Sequence, residues 1–123
     1  MKVLAIETSC DETAVAICEL NSSGQATMLA SEIASQIEIH SPYGGVVPEL
    51  ASRNHNNTLR PLIDQTLRKS ELTLSEIGAI AATSGPGLAS SLLIGDTTAK
   101  AMALGLEVPF YSINHMEGHL LSP

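Results

Sequence analysis

The sequence predicts an α/β domain on a mixed five-stranded sheet with helices, and three observations carry that expectation. Two short apolar runs rich in Val, Ile and Ala open the chain, with turn formers between them. Two long segments then read as helices, the first with apolar residues at roughly helical spacing and the second rich in Leu, Ala and Ser. Short continuous apolar runs follow each of these, as buried strands joined by crossover helices do. The resulting order is β-β-β-α-β-α-β-α, in which right-handed crossovers make the later strands parallel.

Each element has its own reason. Residues 2–8 and 13–20 form a hairpin around Ser9, Cys10, Asp11 and Glu12. A third strand, 26–36, follows the turn Asn21-Ser22-Ser23-Gly24 and completes a meander, although its Ala and Glu residues are weak strand formers. Ser41-Pro42 and Gly44-Gly45 mark 40–47 as a loop. Pro48 suits a first helical position and Glu49 a first turn, so a long helix runs over 48–69 with Leu50, Leu59, Leu62, Ile63 and Leu67 at helical spacing. Pro61 is expected to kink or split it. Residues 73–76 form a short capped turn, and 77–83 a buried strand that ends in Ser84-Gly85-Pro86-Gly87. The second long helix covers 88–104 and closes at Gly105. A strand over 108–113 follows, and Asn114 is the expected N-cap of a last helix carrying 115–121.

A chain of 123 residues is sized for one domain. Six Lys and Arg against thirteen Asp and Glu leave a net charge of −7, so any contact with nucleic acid must be local. A hydrophobic fraction of 44% with 15% charged residues excludes disorder as the main state. With Tyr43, Phe110 and Tyr111 as its aromatics, the chain lacks the stacking platform of single-strand binders. The first apolar run ends at Glu7, too short for a signal-peptide core or a membrane span, so a cytoplasmic protein without membrane contact is expected. Cys10 and Cys18 form no CxxC pair and are read as free thiols.

The sharpest chemical signal is His115-Met116-Glu117-Gly118-His119. Histidines at i and i+4 on a helix lie about 40° apart, so both imidazoles can face one ion. Glu117 lies about 200° round the same helix from the first histidine, which argues against the water activation of HExxH proteases. Such histidines also occur as plain hydrogen-bonding residues, and two are fewer than the three protein ligands of a catalytic zinc. Zinc, iron and nickel suit two imidazoles about equally. The hairpin tip offers a second constellation, since its hydroxyls and the adjacent carboxylates of Asp11 and Glu12 could hold a hydrated cation and a phosphate. Solvated turns have the same composition. A third is Ser84-Gly85-Pro86-Gly87-Leu88, whose amides at a helix N-terminus favour an anion, although it lacks a P-loop lysine and could be a plain turn. Gly44-Gly45 either makes a turn or admits a ligand close to the backbone. Arg53, Arg60, Arg68 and Lys69 gather the positive charge where a phosphate backbone could dock, a solvated helix face being the commoner explanation.

Taken together, Ile6-Glu7-Thr8-Ser9-Cys10-Asp11-Glu12-Thr13, the stretch from Tyr43-Gly44-Gly45 through Pro48-Glu49-Leu50-Ala51-Ser52-Arg53, the glycine turn, and Asn114-His115-Met116-Glu117-Gly118-His119-Leu120 resemble in order and spacing the TsaD family. These are tRNA N6-adenosine threonylcarbamoyltransferases, formerly called O-sialoglycoprotein endopeptidases. The resemblance implies a ribonuclease-H-like lobe of the actin-like ATPase fold, two such lobes closing around a nucleotide and a metal. It implies His115 and His119 as ligands of iron or zinc, Asp11 and Glu12 as catalytic residues, and Ser9, Gly85 and Gly87 at the phosphate. The implied reaction moves threonylcarbamoyl from threonylcarbamoyl-AMP to N6 of the adenosine beside the anticodon. Implied partners are tRNA, a TsaB-like paralogue, a TsaE-like ATPase and a TsaC-like synthase, with threonylcarbamoyl-AMP or ATP as nucleotide.

Members of the family are more than twice as long, so residues 1–123 are expected to be a single N-terminal lobe, inactive alone and without the second lobe that supplies the third metal ligand and most of the adenosine pocket. A lone lobe exposes apolar surface and is expected to self-associate. Two other functions remain open, a metal-dependent O-sialoglycoprotein endopeptidase and a non-catalytic dimerising module.

Overall fold

Small and β-branched side chains alternate along the first strands and place their larger members on one side. A computed structural model describes residues 1–9, 12–35, 42 and 44–114. Strands β1 (Lys2–Glu7), β2 (Glu12–Leu20) and β3 (Ala26–Ser35) form an antiparallel meander. Helix α1 (Pro48–Ser70) leads through a turn at Leu74–Glu76 to β4 (Ala79–Gly85), and helix α2 (Ala89–Leu106) leads to β5 (Phe110–Asn114). The sheet order is β3-β2-β1-β4-β5, with β4 parallel to both β1 and β5. The expected mixed five-stranded sheet is therefore present.

Leu4, Ile6, Val15, Ile17 and Ile80 on one face of the sheet pack with Leu59, Leu62, Ile63 and Leu67 of α1 in a single aliphatic core. The opposite face carries Ala5, Ala14, Ala16 and Ala81, which with Glu7 and Thr83 line an open pocket of about 160 Å3. Burying branched side chains on the first face supplies about 25 cal/mol for each Å2 of apolar surface removed from water.

Two helix expectations need correction. Helix α1 is not split at Pro61. That residue lies on the exposed side, where the carbonyl that loses its partner can reach water. Helix α2 does not close at Gly105; it runs on to Leu106, and Glu107 takes the left-handed cap at φ 57°. The next residue explains this. Val108 packs on the core, and its N–H reaches the Ala103 carbonyl at 3.0 Å. Helix α1 ends in the same manner, with Glu71 at φ 59° and Leu72 on the core. In both, the apolar contact after the cap offsets the cost of about 1–2 kcal/mol for a side chain in that conformation. Asn114 ends β5, and the expected helix over 115–121 lies outside the described residues.

Candidate functional site

The carboxyl ends of parallel strands open on one edge of a sheet, where crossing chains leave a crevice. Here β1, β4 and β5 all end on that edge. The hairpin tip follows β1, the glycine turn follows β4, and Asn114 at the end of β5 pairs with Gly85. Asn114, the residue that precedes the histidine motif in the sequence, thus lies beside the glycine turn. His115 and His119 themselves lie outside the described residues, as do Asp11 and Cys10.

Glu7 ties these elements together. One carboxylate oxygen accepts the Ser9 N–H at 2.5 Å and the other accepts the Thr83 hydroxyl at 2.5 Å, so the last residue of β1 grips both the tip and β4. Charge-assisted bonds of this kind are short and strong. Thr8 is buried and works on the other face. Its hydroxyl donates to the Ser91 carbonyl at 2.6 Å and accepts the Gly95 N–H at 3.2 Å, engaging both ends of one rung of α2.

Glycine is needed where the backbones meet. A Cβ on Gly87 would lie 2.6 Å from the Ser9 carbonyl oxygen, and one on Gly95 would lie 2.5 Å from Thr8 Oγ1. The Leu88 N–H donates to that same Ser9 carbonyl at 2.9 Å. Gly85 has φ 146°, a conformation that side chains disfavour, and its peptide to Pro86 is cis. The structure thus brings Ser9, Gly85 and Gly87 together. Ser9 is buried and contributes its backbone to this junction, whereas Glu12 is exposed at the start of β2. Leu88 at the N-cap of α2 offers no capping oxygen, which leaves the helix start suited to an anion.

Thr83 is a residue that sequence reasoning misses, and Glu7 and Thr8 enter it only as members of the hairpin-tip motif. A glutamate ending an apolar strand was the available signal, and its partner Thr83 is 76 residues away. Other expected features lie elsewhere. Gly44 adopts φ 75° with open space around it, as a turn requires. Two of the four cations on α1 are paired, Arg53 with Glu49 at 2.5 Å and Lys69 with Glu32. Cys18 is a free thiol; its partial burial, and then the neighbouring Glu19, push its pKa up, which disfavours the nucleophilic thiolate. Among the described residues no group of three or more His, Cys, Asp or Glu side chains could hold a metal.

Residues 27–123 match the family model of TsaD, tRNA N6-adenosine threonylcarbamoyltransferase. The tRNA N6-adenosine threonylcarbamoyltransferase of Brucella ovis is 52% identical over 122 residues, which are 99% of this chain and 34% of that protein; the Brucella abortus protein matches to the same extent. The chain spans about a third of the length of these curated relatives. Among solved structures, YeaZ from Pseudomonas aeruginosa superposes with a TM-score of 0.65 at 25% identity, over 92% of this chain and 43% of that one. RuvC from Thermus thermophilus, solved with a Holliday junction substrate, superposes with a TM-score of 0.59 at 14% identity, over 98% and 70%. These likenesses show the ribonuclease-H-like fold of the actin-like ATPase lobes.

Proposed function

Because the chain belongs to the TsaD family of tRNA N6-adenosine threonylcarbamoyltransferases, we propose that residues 1–123 form the N-terminal lobe of such an enzyme and supply its phosphate and metal half-site. The convergence of Ser9 of the hairpin tip, the glycine turn and Asn114, the residue before the histidine motif, on one sheet edge supports this reading most directly. In the proposed reaction N6 of adenosine attacks the carbamoyl carbon of threonylcarbamoyl-AMP. A C–N bond forms, the C–O bond to phosphate breaks, and AMP leaves with the electron pair. The amides around Gly85 and Gly87 and the start of α2 face the AMP phosphate. Asp11 and Glu12 stand at the reacting end, where a carboxylate takes the N6 proton.

His115 and His119 would hold iron or zinc, as membership of the family implies and their i, i+4 spacing allows. When bound, such an ion polarises substrate oxygens. The likeness to YeaZ supports a partner of the same fold, the TsaB-like paralogue; tRNA, a TsaE-like ATPase, a TsaC-like synthase and a cytoplasmic location complete the proposal. No helix among the described residues is long and apolar enough to cross a membrane. Exposed Met28, Ile33, Leu93 and Leu104 support self-association of the isolated lobe, which sedimentation over a range of concentrations would show as a rising mass.

The decisive experiment replaces the matching third of the Brucella ovis protein with this chain and assays threonylcarbamoyl transfer to tRNA. Transfer is expected, and Glu12→Gln is expected to lower it by about 100-fold or more. A folded chimaera without transfer would overturn the proposal. Metal analysis of the chain with His115→Ala and His119→Ala tests the half-site, with an ion expected in the parent and lost in both variants.

A further inference from the structure

β1 and β2 stop pairing at Glu7 and Ala14, so the two legs of the hairpin tip must be held by other elements. The leading leg, Thr8 and Ser9, is held by α2 and the glycine turn. The return leg, Glu12 and Thr13, pairs with Ser35 and Ala34 of the edge strand β3. From inside the core it meets His55 of α1. His55 is fully buried, and its Nδ1 lies 2.7 Å from the hydroxyl of Thr13, which is also fully buried.

His55 occupies the middle of an i, i+4 row with Ala51 and Leu59, a place that leucine would fill without burying a polar group. A buried imidazole or hydroxyl costs desolvation unless it is hydrogen-bonded, and the contact between Thr13 and His55 supplies such a bond to each. Their bond is directional, so it fixes the Thr13 side chain and with it the strand that begins at Glu12.

We propose that His55 is a positioning residue: through Thr13 it sets the return leg of the hairpin and so aims the Glu12 carboxylate at the reacting end of the substrate. This rests on the reading of Glu12 given above. It makes the tip a loop clamped from two helices, α2 on the leading leg and α1 on the return leg.

Four variants of this chain test it by hydrogen exchange and by imidazole 15N shifts. His55→Leu and Thr13→Val remove the bond while keeping the volume, and His55→Asn and Thr13→Ser restore polar atoms near the same places. The first two are expected to speed amide exchange at residues 12–14 by about tenfold, with residues 4–6 and 80–82 unchanged; the second two should recover most of the protection. Thr13→Val should also shift the His55 Nδ1 resonance. Unchanged exchange at 12–14, or acceleration of all amides together, would overturn the proposal. In the Brucella chimaera His55→Leu should lower kcat by about tenfold or more at constant KM, with rescue by His55→Asn. The exchange pattern needs no activity. A chimaera inactive in every form, with exchange confined to the leg, would therefore overturn the transferase reading and leave the positioning role supported.

Discussion

Helices α1 and α2 cover the same face of the sheet with opposite kinds of surface. Helix α1 buries Leu59, Leu62, Ile63 and Leu67, whereas α2 buries Ser91, Gly95, Ala99 and Ala103. The first is held by volume, because each branched side chain fills core space and removes apolar area from water. The second is held by proximity. Its row of small residues lets the backbone approach β1 until Thr8 can bond to both ends of a helical rung. Stability rests mainly on the first helix and the shape of the site on the second, so substitutions in the two should fail differently.

The largest effect is expected from Leu59→Ala, which opens a cavity in the α1 core and should cost about 2–5 kcal/mol in thermal or denaturant unfolding. A loss below about 1 kcal/mol would break the distinction. Gly95→Ala comes next. Alanine favours helix by about 1 kcal/mol, but here its Cβ would meet Thr8 Oγ1, and overpacking should leave a net loss of about 1–3 kcal/mol. Thr8→Ala in the same chain should recover part of it, a non-additivity that a double-mutant cycle would measure. Gly105→Ala sharpens the contrast, since nothing lies within 4 Å of the added Cβ on the same helix. It should stabilise the chain by about 0.5 kcal/mol. Arg53→Met at the exposed pair with Glu49 should change stability least, by about 0.2–0.5 kcal/mol, and less still in high salt.

Much of this organisation was legible from local pattern. Alternation in β1 and β2 and the helical rows of α1 depend on periodicity, which short stretches of chain carry. Of the kink or split expected at Pro61 the split is absent, and α2 runs past Gly105, because both rules describe isolated helices. In the folded chain an exposed face spares Pro61, and the burial of Val108 carries α2 past its glycine. Ser9, Gly85 and Gly87 could be nominated from composition. Their contact could not, because it joins positions more than 70 residues apart.

The sequence by itself determined the element order as far as β5, the parallel later strands and the family, since motifs and hydrophobic period are properties of consecutive residues. Only the tertiary structure decided that Glu7 links Ser9 to Thr83, that Gly95 must stay small for Thr8, and that His55 faces Thr13. Each of these depends on which side chains two distant segments present when they meet, and hydrogen-bond distance and steric fit are settled only once the core brings those segments together.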